Sequence, residues 1–201
     1  FSSSDGTIWK LSGQGWTSIT SPALGGFEQV VVYDDGSGPN LYVSGDQIGI
    51  QKQVGAAWVE IRPYAPNGIA YPMVVFNDGS GSRLYSLQYF ADLSGSPEEN
   101  HVRRWNGTSW SAPLGIAASL IVTAGSPPPQ LLATTTTSYP ATAVVSQWVA
   151  GVFSQLTPTG DTTGSITSVA LQEEGTGFSV FFTGLQKAGG VVLNGSIGRW
   201  N

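Results

Sequence analysis

The sequence predicts an all-β protein, a β-propeller built of four-stranded antiparallel blades. About four blade equivalents fit in the chain, either as a closed ring or as an arc of a larger one. Three observations point there. The first is composition: 27 of 201 residues are Gly, seven are Trp, and only 10% are charged, against a usual ~7% Gly and ~25% charged. Gly, Ser, Thr, Val and Trp in bulk describe strands joined by tight turns, whereas disordered chains are charge-rich and aromatic-poor. The second is an internal repeat. A Gly-rich turn recurs as DDGSGPN (Asp34–Asn40) and NDGSGSR (Asn77–Arg83), with looser copies AGSPPPQ (Ala124–Gln130) and EEGTGFS (Glu173–Ser179). These start at 34, 77, 124 and 173, a spacing of 43, 47 and 49 residues, which is the period of four-stranded propeller blades. The third is a landmark that follows each turn, in which a strand, a Gly-containing turn and an aromatic residue come in sequence.

Taken in order, each unit reads strand A, turn, strand B, loop, strand C, turn, strand D. The A strands are Val30–Tyr33, Met73–Phe76, Leu120–Thr123 and Thr167–Leu171, nearly continuous apolar runs of the kind buried on both faces. The B strands are Leu41–Gly45, Leu84–Gln88, Leu131–Thr135 and Ser179–Thr183. Strands C and D come from Ile8–Trp16, Ile48–Trp58, Val102–Trp110 and Val144–Phe153, and Ile197–Asn201 opens a fifth copy of C. In VRRWNGTSW, Asn106-Gly107 predicts a two-residue hairpin turn with φ > 0 at both positions. The blades are expected at about 28–61, 73–114, 119–156 and 167–201, with 1–19 as a partial blade, and they sum to 17 strands. Sheets of this size bury both faces only by stacking, so the C and D aromatics are assigned to packing between neighbouring blades rather than to sugar platforms. The chain opens at Phe1 without Met or a charged leader and is expected to be a processed product or a piece of something longer.

The pairing of DDGSGP before LYVSG with RWNGTSW resembles the β-propeller repeats of large secreted or surface bacterial proteins, in which a DDGSGP-LYVGG hairpin alternates with RWNGSSW. The likeness covers nearly the whole chain and is best at Val30–Asp46, Val74–Tyr85, Arg103–Leu114 and Ala188–Asn201. The third copy, with SPPP in its turn, departs most. The resemblance implies an extracellular propeller of no settled activity, and it speaks to fold more than to function.

Each candidate site has a plain structural role beside its chemical one. The acidic turns, with Asp34, Asp35 and Asp78, invite a calcium reading, but the EF-hand pattern is not met and the copy at Ala124 has no acid. They are assigned to turn chemistry. Ser3–Trp9 resembles an Asp-box displaced by one residue, itself a structural turn. Glu98-Glu99 and Glu173-Glu174 are the carboxylate pairs on offer for glycoside hydrolysis, and both are expected in solvated loops or turns. His101, the one histidine, is expected just before a C strand, with no nucleophile elbow anywhere. Asn106-Gly107-Thr108 and Asn194-Gly195-Ser196 are formal glycosylation sequons explained as hairpin turns.

Net charge is −5, and the eight Lys and Arg are scattered with no cluster for a carboxylate substrate. No basic patch exists for nucleic acid. No apolar run reaches transmembrane length, and with no Cys the thiolate metal sites are excluded. The expected function is a non-enzymatic binding or scaffolding module, extracellular or at the cell surface, needing no cofactor, metal or catalytic residues. Its partner would be a glycan or a protein, or a second copy completing the ring. A carbohydrate-binding lectin is the first alternative and a glycoside hydrolase the second. The ligand face is expected in the B–C loops Asp46–Gln47, Tyr89–Asn100, Ser138–Ala143 and Leu185–Asn194.

Overall fold

The computed structural model describes residues 7–19, 27–45, 48–63, 71–90, 99–114, 120–124, 130–136, 143–156, 163–174, 177–188, 191–192 and 198–200. Within them the protein is all-β, with 17 strands and no helix. An N-terminal hairpin pairs β1 (Ile8–Ser12) with β2 (Gly15–Ile19). The first sheet is a four-stranded meander of β3 (Gln29–Asp34), β4 (Pro39–Gly45), β5 (Gly49–Val54) and β6 (Ala57–Arg62). The second runs β7 (Met73–Asn77), β8 (Ser82–Phe90), β9 (Glu99–Trp105). The third is again four-stranded: β10 (Leu120–Ala124), β11 (Gln130–Thr136), β12 (Ala143–Val149) and β13 (Val152–Gln155). The fourth joins β14 (Thr163–Glu174) and β15 (Gly177–Ala188), with β16 (Val191–Val192) and β17 (Gly198–Trp200) both pairing with β15.

All pairings are antiparallel, and within each meander every strand pairs with its neighbour in sequence. This follows from short connections between strands of period-2 patterning. The sheets stack in chain order. Strand β3 lies against β7, β7 against β10, and β10 against β14. Gln29 ties the first two together: its Nε2 donates to the Met73 carbonyl at 2.7 Å and its Oε1 accepts from the Met73 N–H at 2.5 Å. Among the described residues the stacking does not bring β14 back to β3, and no barrel or ring closes.

Each interface between neighbouring sheets holds its own core. Ile8, Val43 and Ile48 fill the space between the N-terminal hairpin and the first sheet. Tyr33, Tyr42, Ile50, Met73, Leu84 and Trp105 fill the next. Phe76, Tyr85, Val102, Leu131, Ala133 and Trp148 fill the third, and Leu132, Val145, Val169, Val180 and Phe182 the fourth. Adjacent residues divide between interfaces: Tyr42 serves one core and Val43 another, Leu131 one and Leu132 another. That is the alternation of a strand buried on both faces.

The strand count of 17 is reached by a different membership from the expected one. The expected D strand at Trp110 is reduced to a single bridge, Trp105 to Trp110, while β16 is additional. The Asn106-Gly107 turn is also corrected. Asn106 does not adopt positive φ; only Gly107 does, at 99°. The Asn106 side chain accepts from the N–H groups of Thr108 and Ser109, both at 2.8 Å, making a four-residue Asx-type loop. The two-residue turn with both φ positive sits at Ala150-Gly151, φ 50° and 94°. The glycine of the sequon has a further reason. A Cβ at Gly107 would lie 2.9 Å from the carbonyl oxygen of Asp35, in the acidic turn of the preceding sheet.

Candidate functional site

Among the described residues, the acidic turns of the first two sheets each gather several hydrogen bonds on one carboxylate. Asp34 Oδ1 accepts from the N–H groups of Gly36 (2.9 Å) and Gly38 (3.0 Å), shaping the turn from within. Asp35 points inward. Its Oδ1 accepts from the N–H (3.2 Å) and Oγ (2.6 Å) of Ser37, and its Oδ2 accepts from the Tyr42 hydroxyl at 2.7 Å and from Lys52 Nζ. The second sheet repeats the arrangement. Asn77 Oδ1 takes the N–H groups of Gly79 and Gly81. Asp78 Oδ1 takes Ser80 N–H and Oγ, and its Oδ2 takes the Tyr85 hydroxyl and Arg104 Nη1, both at 2.7 Å.

Register makes this possible. Tyr42 stands directly opposite Lys52, and Tyr85 directly opposite Arg104. Turn, second strand and third strand are thereby clamped by one carboxylate. Both carboxylates are nearly inaccessible, at 3% and 5% exposure. Burial alone would raise their pKa, but hydrogen bonds outweigh it, from Lys52, Ser37 and Tyr42 at Asp35 and from Ser80, Tyr85 and Arg104 at Asp78. Both carboxyls are held far below the ordinary range. Burial, then the hydrogen bond to the neighbouring Asp, pushes the Tyr42 and Tyr85 hydroxyls far above their ordinary value. Both carboxylate oxygens of Asp35 and of Asp78, and Oδ1 of Asp34, accept from N–H, O–H or cationic donors within the turn and its neighbouring strands.

In the third sheet all three positions change together. The turn has no acid, Leu132 replaces the tyrosine, and Gln147 stands opposite it in place of the cation. Gln147 donates instead to the Gln130 side chain. In the fourth sheet Phe181 faces Arg199, whose guanidinium lies 5.8 Å from the ring centre and whose Nε donates to Ser179 Oγ.

The remaining candidates stand apart from one another. His101 lies within β9, opposite Gln88, rather than before the strand. Glu99 is likewise in β9, and Glu173 and Glu174 close β14 as paired strand residues, so these three are not loop residues. Glu98, the displaced Asp-box through Gly6, and Asn194-Gly195-Ser196 lie outside the described residues. So do parts of the expected B–C loops, while other parts of them are strand: β8 runs to Phe90, β9 begins at Glu99, β12 begins at Ala143, β15 runs to Ala188 and β16 takes Val191–Val192. The arginines are less scattered than they look in sequence. Burial first, and then repulsion from Arg62, lowers the Arg103 pKa.

The packing role assigned to the aromatics holds where sheets meet. Trp105 and Trp148 are 5% and 7% exposed, and Trp110 Nε1 donates across the interface to the Ile61 carbonyl at 3.0 Å. It does not hold on the N-terminal hairpin, where Trp9 and Trp16 are 39% and 57% exposed. Comparison with family models found no match for this chain, and comparison with curated proteins found none.

Proposed function

We propose that the chain is an arc of a β-propeller whose stacked sheets are its blades, and that it works as a non-enzymatic binding or scaffolding module outside the cell or at its surface. One observation carries this reading. The repeated polar residues hold the first two sheets together, through Asp35 and Asp78, while the segments joining second and third strands vary from three residues after Gly45 to eight after Phe90 and six after Thr136. A constant scaffold with variable connections suits recognition, because loops tolerate change where clamped strands do not. The contacts of β3 with β7, β7 with β10 and β10 with β14 support the propeller reading, since first strands line the axis of such a fold.

Small-angle scattering tests the shape: an annular or crescent profile is expected, and an elongated rod of stacked sheets removes the propeller. Binding is tested on glycan and cell-surface protein arrays, with residues 91–98 and 137–142 replaced by short turns in a second sample. Selective binding lost on replacement, at unchanged melting temperature, is the expected result. Binding that survives replacement moves the ligand face elsewhere.

A further inference from the structure

A cleft of about 500 Å³ lies between the first and second sheets, within the ~300–1,000 Å³ of small-ligand sites. The first sheet supplies one wall through Lys52, Val54 and Val59, and the second supplies the other through Thr108, Ser109 and Trp110. Every residue lining it is among the described ones. The cleft stands at the end of the sheets away from the segments that join second and third strands. In an antiparallel meander the first and third turns share an end, and here they touch across the interface, Gly107 against the Asp35 carbonyl. The second wall exists because the third turn of this sheet is the four-residue loop Asn106–Ser109, where the third sheet has the two-residue turn Ala150-Gly151.

The two walls differ in chemistry. Val54 and Val59 are 50% and 47% exposed. They lie on the face of β5–β6 turned to the second sheet, since Val59 stands opposite Lys52, which reaches Asp35 on that face. Glu60 also borders the cleft, but it stands opposite Gln51, and strand alternation turns its side chain to the other face. Trp110 is half-buried and fixed. Its Nε1 donates to the Ile61 carbonyl at 3.0 Å, and its ring leans on Trp105 with centres 5.2 Å apart and planes at 49°. A ring held in place beforehand loses little rotamer freedom when a ligand arrives. Beside it, Thr108 and Ser109 are exposed. The Thr108 hydroxyl makes no hydrogen bond among the described residues. The Ser109 hydroxyl accepts from Asn106 Nδ2 at 3.2 Å and keeps its own proton to donate.

Charge and solvent select among ligands. Lys52 is the cation on this face, and its ammonium is held by Asp35 and Ser37. The cleft therefore offers no free cation to an anionic ligand and no free carboxylate to a cationic one among its lining residues. It is also open along one side, so a bound molecule stays partly in water, which suits a hydroxylated ligand better than a hydrocarbon. A pyranose ring meets both conditions. One face is C–H and packs on an aromatic ring, and its hydroxyls exchange hydrogen bonds with side-chain hydroxyls.

We infer that this cleft binds a neutral pyranose residue of a glycan, with a C–H face on the Trp110 ring, an apolar edge against Val54 and Val59, and hydroxyls bonded to Thr108 and Ser109. The inference goes beyond the proposed binding module. It places a ligand class at the clamp end of the sheets, away from the variable connections, and it needs only the contact between the first two sheets.

The probes are the methyl glycosides of glucose, galactose, mannose and N-acetylglucosamine, with cyclohexanol and glucuronate as controls. Each is titrated into the full chain and followed through the indole N–H resonances of its seven tryptophans, that of Trp110 being assigned with Trp110→Phe. At least one glycoside should move the Trp110 resonance saturably, with a Kd of about millimolar or below, and both controls should bind about tenfold more weakly or worse. Thr108→Val should weaken binding by about three- to tenfold. Val59→Arg, which extends an exposed side chain over the cleft, should abolish it; where that variant melts earlier than the parent, Thr108→Val decides. Failure of all four glycosides up to about 100 mM, a control that binds as tightly as the best glycoside, or indifference to Thr108→Val and Val59→Arg each overturn the inference. Replacing 91–98 and 137–142 by short turns separates it from the proposed function, because the Trp110 response should survive. Array binding lost on that replacement, with an unmoved Trp110, removes the cleft alone. A Trp110 response with no array ligand lost on replacement keeps the cleft and removes the loop face.

Discussion

The second and third sheets solve one structural problem in opposite ways. In the second, Asp78, Tyr85 and Arg104 lock the first turn to the third strand through a buried carboxylate. In the third, Leu132 and Gln147 occupy the same register, and no acid stands in the turn. Both sheets keep the same meander through their first three strands, and both bury their second strands. The difference teaches that the clamp is a unit. A buried carboxylate is tolerable only with its donors, and buried donors only with their carboxylate. Losing one member is costly; replacing all three is not.

That contrast gives the largest expected effect. Asp35→Ala strands Lys52, which is 13% exposed, beside a buried tyrosine hydroxyl and should cost about 3 kcal/mol. Asp78→Ala should cost less, about 2 kcal/mol, because Arg104 is 38% exposed and water screens and solvates it. Urea unfolding measures both. The triple change Asp35→Gly, Tyr42→Leu, Lys52→Gln converts the first sheet to the third sheet's chemistry. It should cost less than Asp35→Ala alone, by at least about 1 kcal/mol of coupling. Additive losses would mean that the three residues act independently.

Lowering pH tests the same carboxylates without mutation. Their folded-state pKa values are depressed, so their stabilisation is fully present above the unfolded carboxyl value of about 4 and is lost as pH falls through the folded values. Melting temperature should be flat with respect to these two groups from neutral pH to about 5 and fall below about 4. In the triple variant of the first sheet the acid-side fall should be shallower, since only Asp78 remains to titrate in this way.

The strands were legible because their signals are local. Val30–Tyr33 and Leu41–Gly45 carry the apolar alternation and the Gly-rich turn within a few residues of one another, and the meander follows from short connections. The acidic turns were legible as turns for the same reason. The clamp was not, because its third member is set by register across a connection of variable length. Lys52 lies ten residues beyond Tyr42, and Arg104 nineteen beyond Tyr85, so no fixed spacing marks the pair. Trp9 and Trp16 stay exposed because an aromatic at a repeat position is buried only where a neighbouring sheet covers it, and none among the described residues covers that face of the hairpin.

Gly107 links the two clamped sheets, and Gly107→Ala tests how tightly. Its φ of 99° is unfavourable for alanine, and the new Cβ would meet the Asp35 carbonyl at 2.9 Å. A loss of about 2 kcal/mol is expected. Addition of the Asp35→Ala change should not sum with it, because both act on one turn. A full sum would show that the sheets are not in contact there.

The smallest effect runs the other way and comes from the third sheet. Ala150 is the single non-glycine with positive φ among the described residues, at 50°, and its side chain is exposed. An alanine held there carries about 1–2 kcal/mol of steric penalty, whereas glycine gives up part of that advantage through the greater freedom of its unfolded chain. Ala150→Gly should therefore stabilise by about 0.5 kcal/mol, raising the melting temperature by one or two degrees at this chain length. Nothing packs on the exposed methyl to offset the gain. A loss of stability would show that the β12–β13 turn does not adopt the two-residue form with both φ positive, and would move the third sheet's hairpin closer to the four-residue loop of Asn106–Ser109.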